Sequence, residues 1–268
     1  MKLLILLLLS AIITATAQSE TTYRFGIVPQ QNLSVMTKLW PKIMSQIETR
    51  SGVRLEYKSN VDITSFEKAT KAGDYDFAYM NPYHYAVMFK DSYYAIAREN
   101  IKLAGIVVVS KKSSYKELKD LKGARFTFPS PLAYAATVLM KEELKSVGID
   151  PEKDIKTQYS GDHDKGYTSV VRGYADAAGG VTRTFAQLKP ELASELRVLY
   201  KTAEVVPHPF VANNRIPKDV SAKVAAALIA TCSSSEGKPL CEELGMKEII
   251  LAGDPEWQSL RDRYIKKP

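Results

Sequence analysis

Apolar and polar positions fall into two kinds of block along this chain. Short apolar runs bounded by turn residues predict strands over 23–28, 53–59, 77–80, 104–110, 125–128, 177–181, 198–201 and 210–213. Segments with apolar positions three and four apart predict helices over 35–51, 64–72, 115–121, 131–147, 166–173, 220–230 and 255–264. Gly52 and Gly148 stop two of these helices, and Thr64-Ser65-Phe66-Glu67 reads as a capping box opening a third. Strands and helices in alternation predict an α/β architecture.

One unit occurs twice. Near Gly73 the chain reads helix, glycine, Asp76-Phe77-Ala78, strand, then Asn81-Pro82-Tyr83. About one hundred residues on it reads helix, Gly173, Asp176-Ala177-Ala178, strand, then Thr182-Arg183-Thr184. The recurrence predicts two lobes of like construction.

The N-terminus changes the compartment. Lys2 precedes an aliphatic stretch over 3–13, and Ala15-Thr16-Ala17 is a small-x-small cleavage site. The stretch is shorter than the ~20 residues that span a bilayer. Residues 1–17 therefore read as a cleaved secretory signal, without the cysteine of a lipid anchor, and the mature protein is expected to be soluble in the periplasm. Outside the cytoplasm Cys232 and Cys241 are expected to pair, closing a loop worth about 2–3 kcal/mol. The chain carries 37 Lys and Arg against 30 Asp and Glu. The excess is spread out with no basic run, which argues against nucleic acid and favours an anionic small ligand.

Ligands in open α/β sheets bind where strands end and helices begin. Three such junctions carry candidate residues. The first holds Tyr79, Asn81, Tyr83 and His84, with Asn81 as N-cap and Pro82 at the first helical position. The second holds Ser130 as N-cap, Pro131 and Tyr134. The third holds Thr182 and Arg183 behind Gly179 and Gly180. A polar loop with His163 and Tyr167 is a fourth. Free N–H groups at a helix start suit an oxyanion, Arg183 could clamp one bidentately, and the two glycines would let backbone approach it. Single capped helix starts are commonly only caps.

Catalytic and cofactor motifs are missing from the sequence, and Asp162-His163-Asp164 lacks partners at zinc spacing. The expectation is a binding protein with no cofactor and no metal.

Phe25-Gly26-Ile27-Val28-Pro29, Gly73-Asp74-Tyr75-Asp76-Phe77-Ala78 with Pro82-Tyr83, Ser160-Gly161-Asp162-His163-Asp164 and Gly173-Tyr174-Ala175-Asp176-Ala177-Ala178 resemble the phosphate/phosphite/phosphonate-type periplasmic solute-binding proteins of ABC importers. That resemblance implies a type II periplasmic binding protein fold: two α/β lobes, a ligand cleft between them and two crossing hinge strands. Lobe one would hold 18–108 and 206–268, and lobe two 109–205. By position, Tyr83, the Ser130 start and His163 would surround the oxyanion. The chain departs from the family in having Pro131-Leu132-Ala133 where phosphonate binders offer hydroxyls, which leaves Ser130 and Tyr134. Thr182-Arg183 stands where aminophosphonate binders place acidic residues. The partners implied are a small anionic ligand and an ABC permease, with the protein a monomer. One alternative is a sensor presenting its ligand to a membrane kinase; another is an exported hydrolase using His163 with Asp162 or Asp164.

Overall fold

The computed structural model describes residues 21–265, so the expected signal at 1–17 lies outside the described residues. The chain forms β1 (Thr22–Ile27), β2 (Arg54–Lys58), β3 (Phe77–Tyr79) and β4 (Tyr93–Glu99) before crossing at 100–102. It then forms β5 (Leu103–Ser110), β6 (Arg125–Phe128), β7 (Lys156–Tyr159), β8 (Ala177–Val181) and β9 (Leu196–Val205). After returning at 206–208 it adds β10 (Pro209–Asn213) and β11 (Ile249–Leu251).

Two sheets result, ordered β11-β4-β10-β3-β1-β2 and β7-β6-β8-β5-β9. Each has a parallel half made by strand–helix–strand units and an antiparallel half containing the crossings. This is the two-lobed, doubly crossed α/β fold that the sequence implies. Residues 103–108, expected in lobe one, lie in β5 of the second sheet, because Leu103 already pairs with Val205 on β9.

The repeat has a physical basis. Asp76 Oδ2 accepts from Arg24 N at 2.8 Å while Asp76 N donates to Arg24 O at 2.8 Å. In the other lobe Asp176 Oδ2 accepts from Arg125 N at 2.7 Å and Asp176 N donates to Arg125 O at 2.8 Å. Gly73 (φ 77°) and Gly173 (φ 73°) turn the chain into each unit in the left-handed region that glycine tolerates. The preceding helices, Ile63–Lys71 and His163–Val171, are capped by Asp62 and Asp162, each accepting from the N–H three residues on.

These caps correct the sequence reading. The first helix begins at Ile63 because Asp62 supplies the cap, and Glu67 of the expected capping box turns instead to His84 Nε2 at 2.8 Å. Strands β4, β7 and β11 are additional to those read from the sequence. The helix expected over 131–147 begins later, as a wide turn at Tyr134–Val138 running into Leu139–Ser146. The first lobe's core gathers Phe25, Phe77 and Phe210 with Trp40 of the helix Leu33–Ser51. The second lobe's core includes Phe126 stacked on Phe128 at 4.3 Å. Cys232 and Cys241 are joined, their Cα atoms 5.7 Å apart.

Candidate functional site

The lobes meet face to face. Ile63 N donates to Gly161 O at 3.1 Å, and His163 N donates to Gln30 O at 3.3 Å. Asn32 gives both its backbone N–H and its amide to Asp164 Oδ2, at 2.9 and 3.1 Å. The two repeated helix starts are thus tied across the seam. Between the lobes lies a narrow cavity of about 20 Å³, room for about one water molecule with the lobes in this position.

One side of the cavity is the helix start Ala133–Ala136. It is sunk onto the second sheet at two glycines. A Cβ on Gly105 would stand 2.2 Å from Ala135 O, and one on Gly179 would stand 2.4 Å from Ala136 O. Thr137 N is the first N–H to turn back, to Ala133 O at 2.8 Å. The N–H groups of Tyr134, Ala135 and Ala136 therefore precede the helical ladder, at the positive end of its dipole. Among the described residues no side chain caps this start.

Val28, Ile63, Leu103, Val181, Val205 and Val206 form an apolar wall, while Gln30, Asn81, Tyr134, His163 and His208 supply polar atoms. Among the described residues lining the cavity none is Lys, Arg, Asp or Glu. Burial pushes the His163 imidazole down to about 4. Burial, with the nearby Arg183 charge, holds His208 well below its ordinary value. Both rings are neutral at physiological pH, and the Nδ1 atom of each is buried with no protein partner among the described residues.

Behind this wall runs a chain of hydrogen bonds. Arg183 donates to Glu99 Oε1 and the Tyr79 hydroxyl through Nη1, and to Gln30 Oε1 through Nη2. Tyr79 donates to Glu99, and burial raises its phenol to about 12, which keeps it protonated. With its oxygen facing Arg183, Gln30 presents its amide nitrogen to His208 Nε2. A neutral imidazole accepting at Nε2 carries its proton on Nδ1, so the unpartnered atom of His208 is a donor.

The sequence candidates separate into three groups. Asn81, Tyr134 and His163 line the cavity. Tyr79 and Arg183 stand behind it, with the guanidinium held by Glu99 across the lobe boundary. The others lie elsewhere. Tyr83 packs against Tyr134 at 6.5 Å and Tyr264 at 5.3 Å, outside the lining residues. His84 is in the first lobe's core on Glu67. Ser130 is buried, and its hydroxyl has no partner among the described residues; the helix cap it was expected to form falls at Ala133. Tyr167 is a core residue bonded to Thr184 at 2.8 Å, and Thr182 opens the short helix Thr182–Ala186.

Gly179 and Gly180, expected to admit a ligand, instead admit Ala136 and the Tyr167 ring. Asn81 does cap its junction, accepting from Tyr83 N at 2.9 Å and His84 N at 3.0 Å. Gln30, Glu99 and His208 escaped the sequence reading. The signal available for Gln30 is its place just after β1, a junction at a strand end like the other three. Asp162 and Asp164 are occupied by Lys165 N and Asn32, so neither carboxylate orients His163 as a hydrolytic base would require.

Comparison with known proteins gives the family of the chain. The family model described as "ABC transporter, phosphonate, periplasmic substrate-binding protein" matches residues 25–257. A probable ABC transporter phosphite-binding protein, PhnD1 of Prochlorococcus marinus, is 21% identical over 96% of this chain and 93% of its own. Its structure in complex with methylphosphonate superposes with a TM-score of 0.80, covering 90% of this chain and 96% of that one. The phosphate-import protein PhnD of Mycolicibacterium smegmatis is 23% identical over 82% of this chain and 76% of its own. A binding protein component of an ABC phosphonate transporter from Pseudomonas aeruginosa, 17% identical, gives a TM-score of 0.82 over 90% of this chain and 85% of that one.

Proposed function

The chain belongs to the phosphonate-type periplasmic substrate-binding proteins of ABC transporters, and from that membership we propose that it captures a small oxyanion between its lobes for delivery to an importer's permease. The observation that carries the ligand class is the uncapped helix start at Ala133–Ala136. Its three leading N–H groups, the His208 Nδ1 donor and His163 belong to residues that line one cavity. The family's hydroxyl contacts are replaced by backbone donors and imidazoles.

The lobes swivel on the crossings at 100–102 and 206–208. The Arg183–Glu99 pair and the Asn32–Asp164 bonds hold the closed form. Arg183 acts as a latch between lobes, and Tyr83 as part of the aromatic packing beside Tyr134. The mature protein is a periplasmic monomer starting at Gln18, which the intact mass of the secreted form would check.

A thermal-shift screen of phosphonates, phosphite, phosphate and sulfonates tests the ligand class. A true ligand at ~100 times its dissociation constant stabilises by about 2.7 kcal/mol. If every oxyanion leaves the melting temperature unchanged, the proposal fails.

A further inference from the structure

The geometry points to a narrower cargo, resting on the oxyanion reading above: the cleft selects a singly charged oxyanion bearing an apolar substituent, and rejects dianions. The cavity wall contains no cationic side chain among the described residues. The nearest guanidinium, Arg183, is neutralised by Glu99 and buried with it. At the lobe seam Lys165 is paired with Asp162 at 3.0 Å, and the carboxylates of Asp164 and Asp62 lie close by, Asp62 facing Lys68 as well. The local sum of charge is zero or negative.

Positive potential in the cavity therefore comes from the helix start, which is worth roughly half a charge. A second ligand charge would leave water with nothing to balance it. His163 and His208 enter as neutral donors or acceptors. Beside the helix start, where Val205 packs against Ala133, Ala135 and Ala136, the wall of Val28, Leu103, Val205 and Val206 offers a surface that an alkyl group fills and that a fourth oxygen would leave unbonded.

Calorimetric titration with methanesulfonate, sulfate and methylphosphonate tests this. Methanesulfonate carries one charge and sulfate two throughout the neutral range, whereas methylphosphonate loses its second proton near neutrality. Methanesulfonate is expected to bind at least about a hundredfold tighter than sulfate, with affinity constant within about twofold from about pH 6 to about pH 8.5. Methylphosphonate should weaken about tenfold per pH unit once its dianion predominates, as its competent fraction falls.

Methylphosphonate binding that holds or tightens at high pH overturns the inference and leaves the oxyanion reading standing. A parallel loss for methanesulfonate also overturns it, because the histidines would then be supplying charge. Absence of binding by all three anions overturns the inference, and the oxyanion reading falls with it if phosphite and phosphate are equally inert. Val206→Lys, at the half-buried hinge side of the wall, should shift preference toward the dianion at high pH; an unchanged preference in a folded variant counts against the charge argument. If that variant does not fold, the pH series on the unaltered protein decides.

Discussion

At His163 burial, rather than any neighbouring acid, sets the charge state. Its folded pKa is depressed to about 4 while an unfolded histidine titrates near 6.5. Between these values the unfolded chain binds more protons. Stability from this group is therefore complete above about pH 6.5 and is lost as pH falls toward 4, by about 3 kcal/mol in all. His163→Gln should flatten that arm of a urea-denaturation pH profile, and a variant profile parallel to the wild type would contradict the assignment. Gly179 makes a steric prediction. Its absent Cβ would meet Ala136 O at 2.4 Å and the Phe128 ring at 2.7 Å. Gly179→Ala should cost about 1–3 kcal/mol and displace the helix start, weakening ligand affinity beyond its effect on melting temperature. Asn81 and Tyr134, read at strand–helix junctions, and His163, read in a polar loop before a helix, all line the cavity. Glu99 and Gln30 were not legible in the sequence, since their roles depend on Arg183 reaching across from the other lobe, a pairing 84 and 153 residues apart in sequence. The same pairing turned Arg183 from an expected ligand clamp into a partner of Glu99.

At the scale of elements, capping and turn chemistry carried most of the reading. The αL glycines Gly52, Gly73, Gly148 and Gly173 stop helices or open turns where expected. Strand β4 went unread because Tyr93, Ala95, Ile96 and Ala97 are all buried while Arg98 interrupts the run, giving neither clean alternation nor an unbroken apolar stretch. The paired caps invite a direct comparison. Asp62→Ala and Asp162→Ala each remove one N-cap bond of nearly equal length and should each cost about 1 kcal/mol in chemical denaturation. The Asp162 variant should weaken ligand binding more, because its helix carries the polar His163 into the cavity whereas the Asp62 helix carries the apolar Ile63. Equal affinities in both variants would show that the helix start at His163 does not position the site.

For the whole molecule, a buried ion pair between Arg183 and Glu99 joins the lobes. Removing one partner leaves the other charge without compensation, whereas removing both does not. Arg183→Met should therefore open the unliganded protein, seen as a larger radius of gyration in solution scattering, through the loss of about 3–5 kcal/mol from the closed form. Glu99→Gln combined with Arg183→Met should recover much of the compactness. A single variant as compact as the wild type would argue that the seam bonds of Asn32 and Ile63 suffice.

The position of β10 fixes an order of assembly. It lies between β3 and β4 in the first sheet, yet it follows the entire second sheet in the chain. Until residue 213 has emerged, β3 and β4 have no strand joining them, and each presents an open edge of the kind that recruits other chains. The second sheet, by contrast, is contiguous from Leu103 to Val205 and can assemble first. The first sheet therefore stays incomplete while later chain finishes the second. A chain truncated just before Pro209 is expected to carry a finished second lobe attached to a first one whose open edges favour aggregation.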